Sequence, residues 1–304
     1  MTASGRRWAD WGLLLICNFI WGSQFVLVKV VQDQMGPLFA TLLPMAMATV
    51  LLEFLTPRLR PGQLRRADVW GFFALGVLGQ VFAQVFITWG VRLSLASNAA
   101  LLSLALPVLT SLMAFLILRE HMSRVRWISL ALAILGSLVC SGIDWSGLGM
   151  GDRRYLWGNL MILLSVSGSA FYNVYSKRLL ERYDPLQVLL YSYYAVLLVL
   201  APLTYRMEPE SFQAVPAYSW QVWGALAALA VLQYGLSMVL FLRVLTRLDA
   251  TQAAVSNYLI PFFGLALAGV VLGEKVPLIA WIGGAVVLAS TALVTVADSR
   301  EARE

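Results

Sequence analysis

The sequence predicts an all-α integral membrane fold, with ten transmembrane helices arranged as two inverted five-helix repeats. Three observations carry this reading. Of the 304 residues, 60% are hydrophobic and only 12% are charged. With a mean hydropathy of +0.77, that balance belongs to the membrane class rather than the soluble one. The chain also repeats itself. Trp11-Gly12 returns as Trp157-Gly158, Gly22-Ser23-x-Phe25 as Gly168-Ser169-x-Phe171, and Trp70-Gly71 with Gln80 as Trp223-Gly224 with Gln233. Late in each half Ala99, Ala100, Pro107, Glu120 and Trp127 recur 154 residues on, as Ala253, Ala254, Pro261, Glu274 and Trp281. Finally, sixteen of the 22 Lys and Arg fall on the side of the connections that holds the N-terminus. That bias places both termini in the cytoplasm by the positive-inside rule.

About 20 mostly apolar residues span the hydrocarbon core. Ten segments meet this requirement, at 11–31, 38–56, 69–91, 97–118, 126–143, 156–176, 186–204, 220–242, 250–272 and 278–297. The organisation is then a cytoplasmic N-terminus (1–10), a first repeat (11–143), an external linker (144–155), a second repeat (156–297) and a cytoplasmic C-terminus (298–304). The first segment follows Arg6 and Arg7 as a signal peptide would. It is too long for one, contains Asn18 and Gln24, and lacks a small-x-small cleavage pattern, so it reads as a retained span. Lys29 and Asp33 sit near its outer end. Glu53, at the cytoplasmic end of the second span, either snorkels or pairs with Arg58.

The linker is glycine-rich, polar and without periodicity. The tight turns 119–125 and 273–277 match each other, with Glu120 and Glu274 at equivalent places. Because five is an odd number of spans, the two copies enter the bilayer from opposite sides. That arrangement is a signature of carriers that expose a central site alternately to each face.

Polar residues at mid-membrane depth are costly without a partner or a water-filled cavity. They concentrate in spans one, three, six, eight and nine: Trp21 and Gln24, Gln80 and Gln84, Ser165, Ser169, Tyr172 and Asn173, Gln233 and Tyr234, then Ser256, Asn257 and Tyr258. Gln80 and Gln84 share one helix face. Their amides serve either as glue between helices or as a cavity wall, and the repeat equivalence of Gln80 with Gln233 favours the wall. Trp21 is either a packing aromatic or a stacking surface. Ser165 and Ser169 fit close helix packing, whereas the phenol of Tyr172 needs a hydrogen-bond partner at that depth. Asn98 and Gln252 begin their spans and fit N-caps. Pro107 and Pro261, both inside spans, read either as packing kinks or as paired hinges.

Several classes are disfavoured. Cys17 and Cys140 both fall inside spans, and His121 is the single histidine, so neither a disulfide framework nor a multi-histidine metal site is expected. No Asp or Glu lies in the middle of a span. An intramembrane enzyme therefore lacks its acids and bases, and exchange or facilitated diffusion is favoured over proton antiport. No cofactor is expected. The partners are a small-molecule substrate and the lipid bilayer, with no nucleic acid, and a monomer is compatible with the sequence.

The Trp-Gly early in span one, Phe19-Ile20-Trp21-Gly22-Ser23, Leu106-Pro107-Val108 and Leu272-Gly273-Glu274 resemble the EamA family of the drug/metabolite transporter superfamily, over nearly the whole chain. Arg119 stands where a glycine is usual in the first glutamate turn. The resemblance implies a ten-span bacterial inner-membrane carrier with a cavity built from spans one, three, four, six, eight and nine, commonly an exporter of amino acids and related metabolites. The expectation is a secondary carrier that exports or facilitates neutral amino acids or related compounds. Its binding residues would be Trp21, Gln24, Gln80, Gln84, Tyr172, Gln233, Tyr234 and Asn257. The alternatives are a non-transporting sensor or scaffold, and a proton-coupled antiporter.

Overall fold

The computed structural model describes residues 3–55, 64–118, 124–140, 153–247, 257, 259–275 and 277–301. Among these residues no strand occurs; short helices at Pro209–Gln213 and Val215–Ala217 aside, the helical segments follow one another in long runs. They are α1 (Ala3–Val31), α2 (Pro37–Leu55), α3 (Arg66–Leu93), α4 (Ala96–Ile117), α5 (Arg124–Cys140), α6 (Arg153–Leu180), α7 (Pro185–Met207), α8 (Trp220–Leu245), α9 (Leu259–Leu272) and α10 (Leu278–Glu301). Six of them, α1 to α4, α7 and α8, are long and apolar enough to cross a bilayer. Although 28 residues long, α6 is more polar, because it spends Ser165, Ser167, Ser169, Asn173 and Ser176 within one helix. It begins at Arg153, so the end of the expected linker is its first turn. Residues 141–152, which hold most of that linker, lie outside the described residues, as do Arg58, Glu120, His121, Gln252, Ser256 and Tyr258.

The packing expresses the repeat directly. The first span packs against α8 and α9, while α6 packs against α3 and α4. Likewise α2 meets the middle of α8, and α7 meets the middle of α3. The pairs α2–α7, α4–α9 and α5–α10 complete the set. Replacing each helix by the one five places on converts every one of these pairings into another of them or into itself. That is the contact pattern of two like halves related by a two-fold axis.

Close approach at this interface depends on glycine at two equivalent positions. A Cβ on Gly22 would stand 2.8 Å from Phe263 Cβ and 2.9 Å from Gly264 N of α9. One on Gly168 would stand 2.7 Å from Ala83 N and 2.8 Å from Phe82 Cβ of α3. The obstacle is backbone in both cases, so it does not swing aside. We expect Gly168→Val to lose about 1–3 kcal/mol through forced separation of α6 from α3. Melting of the purified protein in detergent measures this, and an unchanged midpoint would show that the two helices slide freely.

The outward surface is apolar, as a bilayer requires. Phe54, Leu198 and Val270 are 80%, 70% and 86% exposed. Trp70 and Trp220, which stand at helix starts, expose 76% and 79% of their surface, the placement of interfacial aromatic anchors.

Two glutamates tie the halves together by capping helices of the other repeat. Glu208, just after α7, accepts from the backbone N–H groups of Leu38 at 3.0 Å and Phe39 at 2.9 Å, at the start of α2. Glu274, just after α9, accepts from Ala96 N at 3.1 Å and Ser97 N at 2.9 Å, at the start of α4. Each carboxylate satisfies two orphan donors and faces the positive end of the helix dipole. Gly273 has φ of 64°, a left-handed conformation that glycine adopts without strain. That conformation turns Glu274 back to return its own N–H to the Ala268 carbonyl at 3.3 Å. The cap of α4 is thus Glu274 rather than Asn98, whose amide donates to Ser94 Oγ instead. Glu53 is exposed and takes a hydrogen bond from the Tyr194 hydroxyl.

The two prolines do not sit mid-helix. α4 is interrupted by a 3₁₀ turn at Ser103–Ala105, and Pro107 is the second residue of the helix that resumes at Leu106. Pro261 is the third residue of α9. In a first helical turn the missing N–H removes no intrahelical hydrogen bond. Pro107 therefore restarts a helix after a break, and Pro261 lies within the first turn of α9.

Candidate functional site

The middles of α3 and α8 are not α-helical. Leu75–Val81 and Leu229–Ser237 are π-helical, and the two stretches begin at equivalent points of the repeat. Widened turns of this kind are frequent at functional sites. They hold Gln80 in one half and Gln233 in the other. Such backbone is tolerated at membrane depth where it is enclosed by protein or lines a cavity.

A cavity of about 110 Å³ lies between these stretches, lined from α1, α3, α4, α6, α8 and α9. Trp21, Gln24, Gln80, Gln84, Tyr172 and Gln233 all reach it, as do Ser103, Ser165, Ser169 and Asn173. Among the described residues that line it there is no Asp, Glu, His, Lys or Arg.

Its wall is organised by one chain of amides. Gln233 Nε2 donates to Gln24 Oε1 at 2.8 Å, and Gln24 Nε2 donates to Gln84 Oε1 at 2.6 Å. The Tyr234 hydroxyl donates to the same Gln84 oxygen at 3.2 Å. Three helices from both repeats are joined through Gln24. The chain leaves capacity unused. Gln233 Oε1 is buried with no partner, and so is the Tyr172 hydroxyl, which faces Gln80 and Ser192 without a formed hydrogen bond. Gln84 Nε2 donates to no group among the described residues. A solute entering the cavity therefore meets an open donor, an open acceptor and a phenol.

Other predicted residues take supporting places. Tyr234, 1% exposed, stands behind Gln84 rather than on the wall. Its carbonyl accepts from the Tyr193 hydroxyl at 2.7 Å. Asn257 is buried away from the wall, and neither of its amide atoms has a partner. Trp21 both lines the cavity and packs against its neighbours. Its ring lines the cavity and stacks edge-on to Phe241 at 4.9 Å, while Nε1 donates to Ser237 Oγ at 3.0 Å. Ser237 in turn donates to the Gln233 carbonyl at 2.6 Å, a bond to the widened backbone of the π-stretch.

Ser103, on the cavity wall, escaped the polar census, and so did Ser237, Thr41 and Thr88. Ser237 is fully buried at the hinge between Trp21 and Gln233. Thr41 and Thr88 face each other at 3.0 Å on one side of the cavity, and Thr88 donates to the Gln84 carbonyl at 2.6 Å. Threonine and serine are common in membrane helices, so nothing in their spacing singled these out.

A polytopic helical membrane protein of two like halves, with an uncharged polar cavity where they meet, is the build of a solute carrier. The EamA-like transporter family model matches residues 10–142 and 156–296. The chain belongs to that family, within the drug/metabolite transporter superfamily, and is a transporter rather than an enzyme. It is 29% identical over 297 residues to a protein of Streptantibioticus cattleyicolor named a probable terminal-alkyne amino-acid exporter, covering 97% of this chain and 96% of the relative. A Salmonella typhimurium relative named as an uncharacterized inner membrane transporter is 24% identical over 298 residues, covering 95% and 96% of the two chains. A solved protein structure superposes with a TM-score of 0.63 at 18% identity, over 96% of this chain and 98% of the other. That likeness speaks for the fold.

Proposed function

We propose that this protein is a secondary carrier that exports small neutral solutes bearing both hydrogen-bond donors and acceptors, neutral amino acids foremost, by alternating access. The observation that carries the reading is the Gln233–Gln24–Gln84 chain at an uncharged cavity joining both repeats. An anionic substrate would want a buried Arg or Lys in the wall, and a simple cation a buried carboxylate. The amino-acid exporter named among its relatives supports the same substrate class. Trp21, Gln24, Gln80, Gln84, Tyr172 and Gln233 contact the solute, with Tyr234 and Asn257 supporting them. Pro107, after the helix break at Ser103–Ala105, and Pro261 act as paired bending points. All ten segments span a bacterial inner membrane, with both termini in the cytoplasm. At about 110 Å³ the cavity is far below the ~300–1,000 Å³ of drug-sized pockets, so large drugs fit only after widening.

Counterflow of labelled L-leucine into proteoliposomes of the pure protein tests the proposal. Exchange is expected without a pH gradient, because no Asp, Glu, His, Lys or Arg is among the described residues that line the wall. Its rate is expected to stay flat between mildly acid and neutral pH. Gln80→Ala and Gln233→Ala are expected to abolish it while eluting as folded protein. Wild-type rates in both variants would sink the site, and uptake that demands a proton gradient would favour antiport.

A further inference from the structure

We infer that a second site, for the charged head of a zwitterion, lies in a vestibule formed by the α1–α2 connection, the end of α3 and the connection after α7. It deepens the proposed function, on which it rests for its place in the transport path, by assigning an exit station to the same solute.

The vestibule has a volume of about 650 Å³, within the ~300–1,000 Å³ range of small-molecule sites. Unlike the central cavity it carries both signs of charge. Arg92, Asp33 and Glu210 line it, and among the described residues none of the three forms an ion pair. The Arg92 guanidinium has one long contact, from Nη1 to the Met35 carbonyl at 3.5 Å, while its backbone carbonyl accepts from Arg154 at 3.0 Å. The wall also contains two orphaned polar atoms. Trp89 Nε1 is a buried donor without an acceptor, and Gln32 Oε1 is a buried acceptor without a donor. Buried polar atoms left unmatched are costly, so a partner is called for. Together the groups sort by sign. The Arg92 guanidinium and Trp89 N–H suit a carboxylate, and the carboxylates of Asp33 and Glu210 with Gln32 Oε1 suit an ammonium group. Glu208, on the same wall, is already committed to the start of α2.

Gln32 also connects this vestibule to the centre. Its Nε2 donates to the Thr88 carbonyl at 2.6 Å, and Thr88 Oγ1 donates to the Gln84 carbonyl. Thr41 Oγ1 bonds Thr88 and the same Gln84 carbonyl at 3.4 Å. Thr41 and Thr88 are both fully buried, so this layer closes the vestibule off from the central cavity. A zwitterion that draws Gln32 toward its ammonium loosens one of the bonds holding the layer shut.

The test places a reporter thiol at the rim. Ala214→Cys and, separately, Leu93→Cys line the vestibule without removing any group assigned to the ligand. In purified full-length protein in nanodiscs, each is alkylated by a charged maleimide with and without L-leucine. L-leucine is expected to slow alkylation, and L-leucinol or 4-methylpentanoate, which lack one charge, to do so far less. Adding Arg92→Gln is expected to weaken protection by about tenfold, the loss of one charge-assisted contact. Failure of both reporters to show protection in a protein that performs leucine counterflow would overturn the vestibule site alone. Equal protection by the three probes, or protection unchanged by Arg92→Gln, would overturn it as well. Protection in a protein that performs no counterflow would uphold the site and count against the transport reading instead.

Discussion

Replacing Gln24 by leucine is expected to reduce exchange to the background of empty liposomes while leaving a folded protein. Gln24 is the one side chain bonded to both other glutamines, accepting from Gln233 and donating to Gln84. Leucine removes both bonds and strands the Gln233 donor. Polar contacts between membrane helices average about 0.6 kcal/mol, so the global fold tolerates the loss. Positioning does not, because binding groups displaced by an ångström cost far more in rate than in stability. Gln24→Glu sharpens the test. A carboxyl at that buried position has its pKa raised by desolvation. Protonated, it donates to Gln84 and accepts from Gln233 as the amide does; ionised, it only accepts. Exchange by this variant is expected to rise as pH falls through the carboxyl's pKa, whereas the wild type stays flat. Wild-type exchange by Gln24→Leu, or a pH-independent Gln24→Glu, would remove Gln24 from the mechanism.

The largest loss of stability is expected from Glu274→Ala. Two backbone donors at the start of α4 lose a charged acceptor, and hydrogen bonds to charged groups contribute about 1.5–3 kcal/mol each. The carboxylate also acts on the nearby Lys29 ammonium. That ammonium donates to the carbonyls of Val91 at 2.8 Å and Ser94 at 3.0 Å, closing the end of α3. One substitution therefore loosens both arms of the α3–α4 connection. Thermal unfolding followed by size-exclusion recovery is expected to show a lower midpoint for Glu274→Ala, with Glu274→Gln between it and the wild type. Glu208→Ala is expected to behave alike at the start of α2. If Glu274→Ala melts with the wild type, water or a neighbour caps α4 and the carboxylate is dispensable.

The sequence made the architecture legible because the bilayer imposes a length on every apolar segment, and the repeat could be read residue by residue. Leu272-Gly273-Glu274 was visible as a turn, yet its partner was not, since the start of α4 lies far away in the chain. The glutamines were legible as buried amides, but whether each served as glue or wall depended on geometry that i, i+4 spacing does not contain. Both roles turned out to coexist in Gln24 and Gln84. The vestibule was illegible for another reason. Asp33 and Glu210 come from two separate connections and Arg92 from the end of α3, and each alone reads as an ordinary surface charge.

What the sequence determined by itself, then, was membership of the membrane class, the doubled architecture and the set of polar residues at mid-membrane depth, because hydropathy and repetition are properties of the chain alone. Only the tertiary structure decided which amides bond to one another, that α3 and α8 widen into π-helix where they carry Gln80 and Gln233, and that Pro107 and Pro261 each lie in the first turn of a helical stretch. Those outcomes depend on how two halves dock. Backbone period and side-chain partners are chosen there by the groups each helix meets across the interface.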